Sequence, residues 1–273
     1  MLKLILINLT IIYKRRKFLN YMVFLTIVAS IFALVLYYGK DFSIYGNDYE
    51  RFFITCPKLG FITTFFIYII PLMVSIPDGD SSIIEKNIYP LILSRTKSKH
   101  YYYAKIITSF IVGFITIIYF LSIINIFTII LTSRMNTLNY DFPTLFLTNP
   151  SISKLPFLNI YLNNYNLYVY LYTILLGIYG GLLASTSYII GLFSSQKIMA
   201  YIGPFFMSLA LLLLISLFGG VVRAWYPQNL FNPAPIHVSF EGVFKIELGI
   251  LVYIILHTFL LFYLVRIKAK EVV

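Results

Sequence analysis

Six long stretches of this chain, 18–38, 59–76, 106–131, 167–193, 199–218 and 248–265, contain no Asp, Glu, Lys or Arg. About 20 apolar residues suffice to carry a helix across the ~30 Å hydrocarbon core of a bilayer. Inside lipid every backbone N–H and C=O must be bonded within the protein, which leaves only helices or closed barrels. The stretches are continuously apolar rather than alternating, so they read as helices. The expected fold is all-α: a polytopic membrane protein in which one transmembrane domain, 1–273, holds six spans.

Composition agrees. The chain is 60% hydrophobic and 11% charged, against about 25% charged in soluble domains, so it could not coat itself with a soluble surface. Its net charge of +11 would suggest nucleic acid in a soluble protein. Here the partner expected is membrane lipid rather than nucleic acid, and the cations report orientation instead. With both termini inside, one side holds Lys3, Lys14, Arg15, Arg16, Lys17, Lys86, Arg95, Lys97, Lys99, Lys105, Lys197, Arg266, Lys268 and Lys270. These are fourteen of the 21 Lys and Arg. The positive-inside rule then places both ends in the cytoplasm and the chain in a cell membrane, multi-pass.

The opening stretch, 1–17, has its charge cluster after the apolar residues and no small-residue cleavage site, unlike a signal peptide. Lys3, Thr10, Lys14 and Lys17 share one face at helical spacing. That predicts an amphipathic helix lying in the membrane surface. Cys56 is the single cysteine, which excludes an internal disulfide.

One segment outside the apolar runs is built differently: SSIIEKNIYPLILSRTKSKHYYYAK, residues 81–105. Ser82-Ile-Ile-Glu85 fits a capping box, with the serine hydroxyl on the Glu85 N–H and the carboxylate reaching back. Ile84, Ile88, Leu91 and Ile92 make one apolar stripe. Pro90 disfavours helical geometry at Tyr89, so a short helix ends or kinks there. Arg95, Lys97, Lys99 and Lys105 then stand beside Tyr101, Tyr102 and Tyr103, a pattern that anchors a helix end at the headgroups.

With these features the chain resembles the permease subunits of ABC-2 type transporters. The resemblance rests on six spans, both termini inside and an interfacial helix first. It rests also on Leu91-Ile-Leu-Ser-Arg95 followed by Lys99, the tyrosines and Ala104-Lys105. Gly191-Leu-Phe-Ser-Ser-Gln-Lys197 with Ala200 and Pro204 looks like the family's tight turn between spans four and five, and Leu230-Phe-Asn-Pro233 like its outer proline motif. The long 132–166 loop departs from the pattern, since many relatives have a short connection there. The resemblance implies a cytoplasmic coupling helix between spans two and three that contacts an ABC ATPase subunit. Ser82, Glu85, Ile88, Tyr89 and Arg95 would belong to that contact. It also implies a second permease copy or paralogue, and export of peptides or amphiphilic, antimicrobial compounds.

The chain has no Gly-x-x-x-x-Gly-Lys-Ser/Thr of its own, so Mg-ATP would be held by a separate ATPase and this chain would not be an enzyme. His100, His237 and His257 are far apart in sequence, and neither a metal site nor a catalytic constellation is expected. His257 lies mid-way along the sixth run, where an ionisable group is costly and often functional. A neutral imidazole bonded to a neighbouring helix is the plainer account. The alternative function, a secondary transporter or a membrane sensor or immunity protein working without an ATPase, would have His257 as its only ionisable group within a span. Glu247 at the edge of the same run reads as hydrated. Gly177, Gly181 and Ser185 form a small-residue stripe that lets two helices approach closely within the chain.

Overall fold

The computed structural model describes residues 1–38, 60–87, 98–133, 157–194, 196–217, 226–231 and 243–271, and among them every regular element is a helix. In chain order these are α1 (Leu2–Lys14), α2 (Arg16–Tyr38), α3 (Gly60–Ser75), α4 (Ser81–Ile84) with a 3₁₀ turn at Glu85–Asn87, and α5 (Ser98–Ser133). There follow α6 (Leu158–Asn163), α7 (Tyr165–Phe193), α8 (Lys197–Leu217), α9 (Pro227–Leu230) and α10 (Val243–Glu271).

Five segments are long and apolar enough to cross a membrane: Arg16–Leu34, Ser98–Phe127, Leu167–Phe193, Lys197–Ile215 and Glu247–Lys270. The molecule is therefore a multi-pass helical membrane protein. The second apolar run falls short of that standard. Its helix, α3, has 16 residues, or about 24 Å at 1.5 Å per residue, against a core of ~30 Å. Among the described residues, five of the six expected spans are thus present as long apolar helices, and the second is represented by the shorter α3.

Polar residues inside these runs are reconciled with the helix by a repeated device. The hydroxyls of Thr26, Thr108, Thr116, Thr173 and Thr186 each donate to the carbonyl four residues back, at 2.7–2.9 Å. This satisfies the hydroxyl without a neighbouring helix. In α3, Ser75 Oγ donates in the same way to the carbonyl of Pro71, at 2.6 Å.

The centre of the bundle is the pairing of α5 with α7. A Cβ on Gly113 would lie 2.5 Å from Ala184 Cβ, and one on Gly181 would lie 2.8 Å from the Phe110 ring. A Cβ on Gly177 would press on Phe114 at 3.0 Å, and Ser185 Oγ donates to the Ile106 carbonyl at 3.2 Å. The Gly177, Gly181 and Ser185 stripe thus works within the chain, as expected. Around this pair two apolar clusters form. One joins Leu25, Ile67, Ile70, Ile117, Phe120, Tyr179 and Phe231. The other joins Tyr101, Tyr102, Ile106, Leu182, Tyr188, Leu261 and Val265.

α1 is a separate helix. Extended backbone at Arg15 (φ −68, ψ 125) divides it from α2. Ile12 and Phe18, on either side of that elbow, are buried together against Val112 of α5. At the far end of the bundle half-buried Glu247 accepts a hydrogen bond from the Phe157 N–H at 3.2 Å, so it caps a chain turn. Phe157 itself holds a left-handed φ of 56 and sits edge-on to the Tyr172 ring.

Candidate functional site

The segment that leaves α3 turns through residues 76–80 and enters α4, and it folds inward. A Cβ on Gly79 would run into Ser187 Oγ of α7 and lie 2.5 Å from the Ser75 carbonyl oxygen. A Cβ on Gly191 would meet Ser82 Oγ and lie 3.1 Å from the Gly79 carbonyl oxygen. Glycine at both places lets the turn sit directly on the last turns of α7. Tyr21 of α2 steadies its root by donating to the Met73 carbonyl at 2.6 Å. Ser187 Oγ donates to the Ala200 carbonyl at 2.5 Å and so ties α7 to α8 beside it.

Three carboxylates and three cations meet here. Glu85 Oε1 accepts from Lys105 Nζ at 2.6 Å, and Arg15 Nη2 stands 3.6 Å from the same oxygen. Its Oε2 accepts from the Tyr101 hydroxyl. Asp80 Oδ1 accepts from Lys17 Nζ at 3.0 Å, and Lys17 also donates to the Tyr201 hydroxyl at 2.7 Å. Asp78 Oδ2 accepts from Ser109 Oγ at 2.6 Å. Asp78, Ser81, Ser82, Glu85, Lys105 and Ser109 are all buried. Burial pushes the Asp78 carboxyl above its ordinary range. Lys105, the Ser109 hydrogen bond and Arg15 pull it back, while Glu85 adds to the rise.

Ser82 and Glu85 are therefore brought together with the bundle's own charges, and the capping box does not form. The helix begins two residues earlier, with Asp80 rather than Ser82 at its N-cap and no side-chain cap bond. Glu85 is committed to Lys105 and Tyr101, charge-assisted bonds in a buried site that outweigh a cap on a one-turn helix. Lys105 and two of the tyrosines also depart from their expected place at the headgroups. Lys105, Tyr101 and Tyr102 are at most 3% exposed, packed between α7 and α10 or turned onto Glu85. Ile84 faces outward, at 43% exposure. Ile88, Tyr89 and Arg95 lie outside the described residues.

Asp78, Asp80, Ser109 and Tyr201 were not singled out in the sequence, and Lys17 was read as part of the polar face of the opening helix. A signal was present: Asp78-Gly-Asp80 directly follows an apolar run, in a chain with 10 acidic residues altogether.

The second polar island surrounds His257 on α10. Thr186 Oγ1 already donates to the Leu182 carbonyl, so at 2.9 Å it accepts from His257 Nε2. Nδ1 then accepts from the Tyr253 hydroxyl at 2.8 Å. One ring proton completes the network, and the imidazole is bonded to a neighbouring helix as expected.

Compared with described protein families, curated proteins and solved structures, the chain matches none.

Proposed function

We propose that the chain is the membrane-spanning permease subunit of an ATP-driven ABC exporter in a bacterial cell membrane, of the ABC-2 type. It would move peptides or amphiphilic, antimicrobial compounds outward, with both termini and the 76–105 segment in the cytoplasm. α3 would complete the set of six spans together with flanking chain. Mg-ATP would be bound and hydrolysed by separate ATPase subunits, and a second permease copy or paralogue would complete the pathway. This chain would supply no catalytic group.

The observation that supports this reading best is the two-sided construction of residues 76–87. On one side Asp80 and Glu85 are bonded to Lys17, Arg15, Tyr101 and Lys105, cations and a phenol of α2, the elbow and α5. On the other, Ile84 is exposed and opens the apolar stripe that continues to Ile88. A segment that converts a partner's movement into movement of spans needs both properties. It needs a surface to be pushed on, and stiff ties to the helices that must move. Alternating affinity of the cargo for the two arrangements then gives direction.

Co-expression with a candidate ABC ATPase subunit tests the reading. Ile84→Asp or Ile88→Asp would place a charge on the apolar contact, which is heavily penalised unless hydrated. Either variant should insert normally yet lose both ATPase co-purification and stimulated ATP hydrolysis. Full capture by both variants would contradict the proposal.

A further inference from the structure

We propose that Asp78 is a proton-binding site: the 76–87 turn docks on α5 and α7 with this carboxyl protonated, and ionisation releases the turn. The inference needs no ATPase and is independent of the transport reading.

The geometry carries it. Asp78 is 2% exposed. One oxygen accepts from Ser109 at 2.6 Å, and the other, Oδ1, has no hydrogen-bond partner among the described residues. An ionised carboxylate offers about four acceptor sites, so a single hydroxyl leaves most of its charge unanswered at this depth of burial. The hydroxyl of Ser81, on the same turn and fully buried, is also without a partner, so it does not serve the carboxylate either. Lys105, the nearest source of compensation, donates to Glu85 instead.

The groups facing Asp78 are few. They are Lys105 and Ser109 from α5, Arg15 from the elbow and Glu85 from its own segment. α7 presents Ser187 and Gly191 to the turn and carries no Asp, Glu, Lys, Arg or His along its length, its titratable groups being tyrosines. Lys17 is taken by Asp80 and by Tyr201 of α8. Around the pair of carboxyls Asp78 and Glu85 stand two cations, and both are drawn to Glu85.

The sign of the pH effect follows. The docked turn holds the Asp78 proton more tightly than a free turn does, because burial raises its pKa from 3.8. Docking is complete below that ordinary value and weakens as pH rises through the raised one.

Infrared difference spectroscopy on the purified full-length protein reads the proton directly. At pH 6 an aspartate of ordinary pKa is about 99% ionised. The wild type should nonetheless show a protonated-carboxyl stretch at pH 6 that Asp78→Asn removes. Ser109→Ala, which deletes the only hydrogen bond to the group, should shift that band without abolishing it. In a Cys56→Ser background, a Ser81→Cys thiol should grow more accessible as pH rises, relative to an exposed reference thiol, and should stay protected when Asp78→Asn is added. No band at pH 6, a band that survives Asp78→Asn, or equal pH dependence of labelling in both backgrounds would overturn the proposal. If Asp78→Asn does not accumulate, Ser109→Ala decides: a shifted band supports the proton site and an unmoved band contradicts it.

Discussion

His257 and the 76–87 turn are two places where this apolar bundle admits titratable side chains, and they are finished in opposite ways. At His257 each ring nitrogen has one partner, Thr186 or Tyr253, and neither partner is charged. At the turn, three acids and three bases are packed in the same volume, and one carboxylate oxygen of Asp78 is left over. Neutral, saturated bonds cost little to keep in an apolar setting and respond to little. Charges held by one another are strong only while every partner stays in place. The comparison separates a structural polar contact from a region able to change state.

The largest effect should come from breaking a charge pair. Glu85→Gln leaves Lys105 buried opposite an amide, and removal of one partner of a buried pair typically costs about 3–5 kcal/mol. Fluorescence-detected size exclusion after a heat ramp should show this variant largely lost, with Glu85→Gln/Lys105→Met recovering much of the wild-type stability. Wild-type melting of the single variant would mean that the pair is not buried.

A smaller loss should follow from crowding the turn. Gly79→Ala drives a methyl against Ser187 and the Ser75 carbonyl, and overpacking of this kind costs roughly 1–3 kcal/mol. The same melting assay should place it between Glu85→Gln and wild type. Smallest of all should be His257→Gln, which can still bond Thr186 and forfeits a contact worth about 1 kcal/mol. It should retain most transport, and its loss at normal protein levels would reverse the contrast between the two islands.

How much of this was legible in the chain depends on the range of the interaction concerned. The helices were, because apolar runs such as 106–131 and 167–193 state their own conformation once lipid is the solvent. So was a close intrachain approach to α7, since Gly177, Gly181 and Ser185 recur at helical spacing on one element, but not that α5 would be the helix to make it. The pairing of Glu85 with Lys105 was not, because the two are 20 positions apart with a proline between them. Local rules offered Glu85 a cap at Ser82, worth little beside a buried ammonium. Arg15, Lys17 and Lys105 were read as surface cations by the count that orients the chain. In the structure each faces an acid, a distinction that residue type does not encode. Tyr101 and Tyr102 went the same way, because a tyrosine near a helix end suits a headgroup and a buried carboxylate equally well.

The central proposal is that the 76–105 segment lies on the cytoplasmic side, with Asp80 and Glu85 bonded into the bundle and Ile84 open to a partner. Substituted-cysteine labelling in intact cells tests it most directly. In a Cys56→Ser background, Ser98→Cys and Lys268→Cys should resist a membrane-impermeant thiol reagent until the cells are opened, while Thr148→Cys should label at once. Labelling of Ser98→Cys from outside would put the segment on the wrong face of the membrane and leave no ATPase for it to meet.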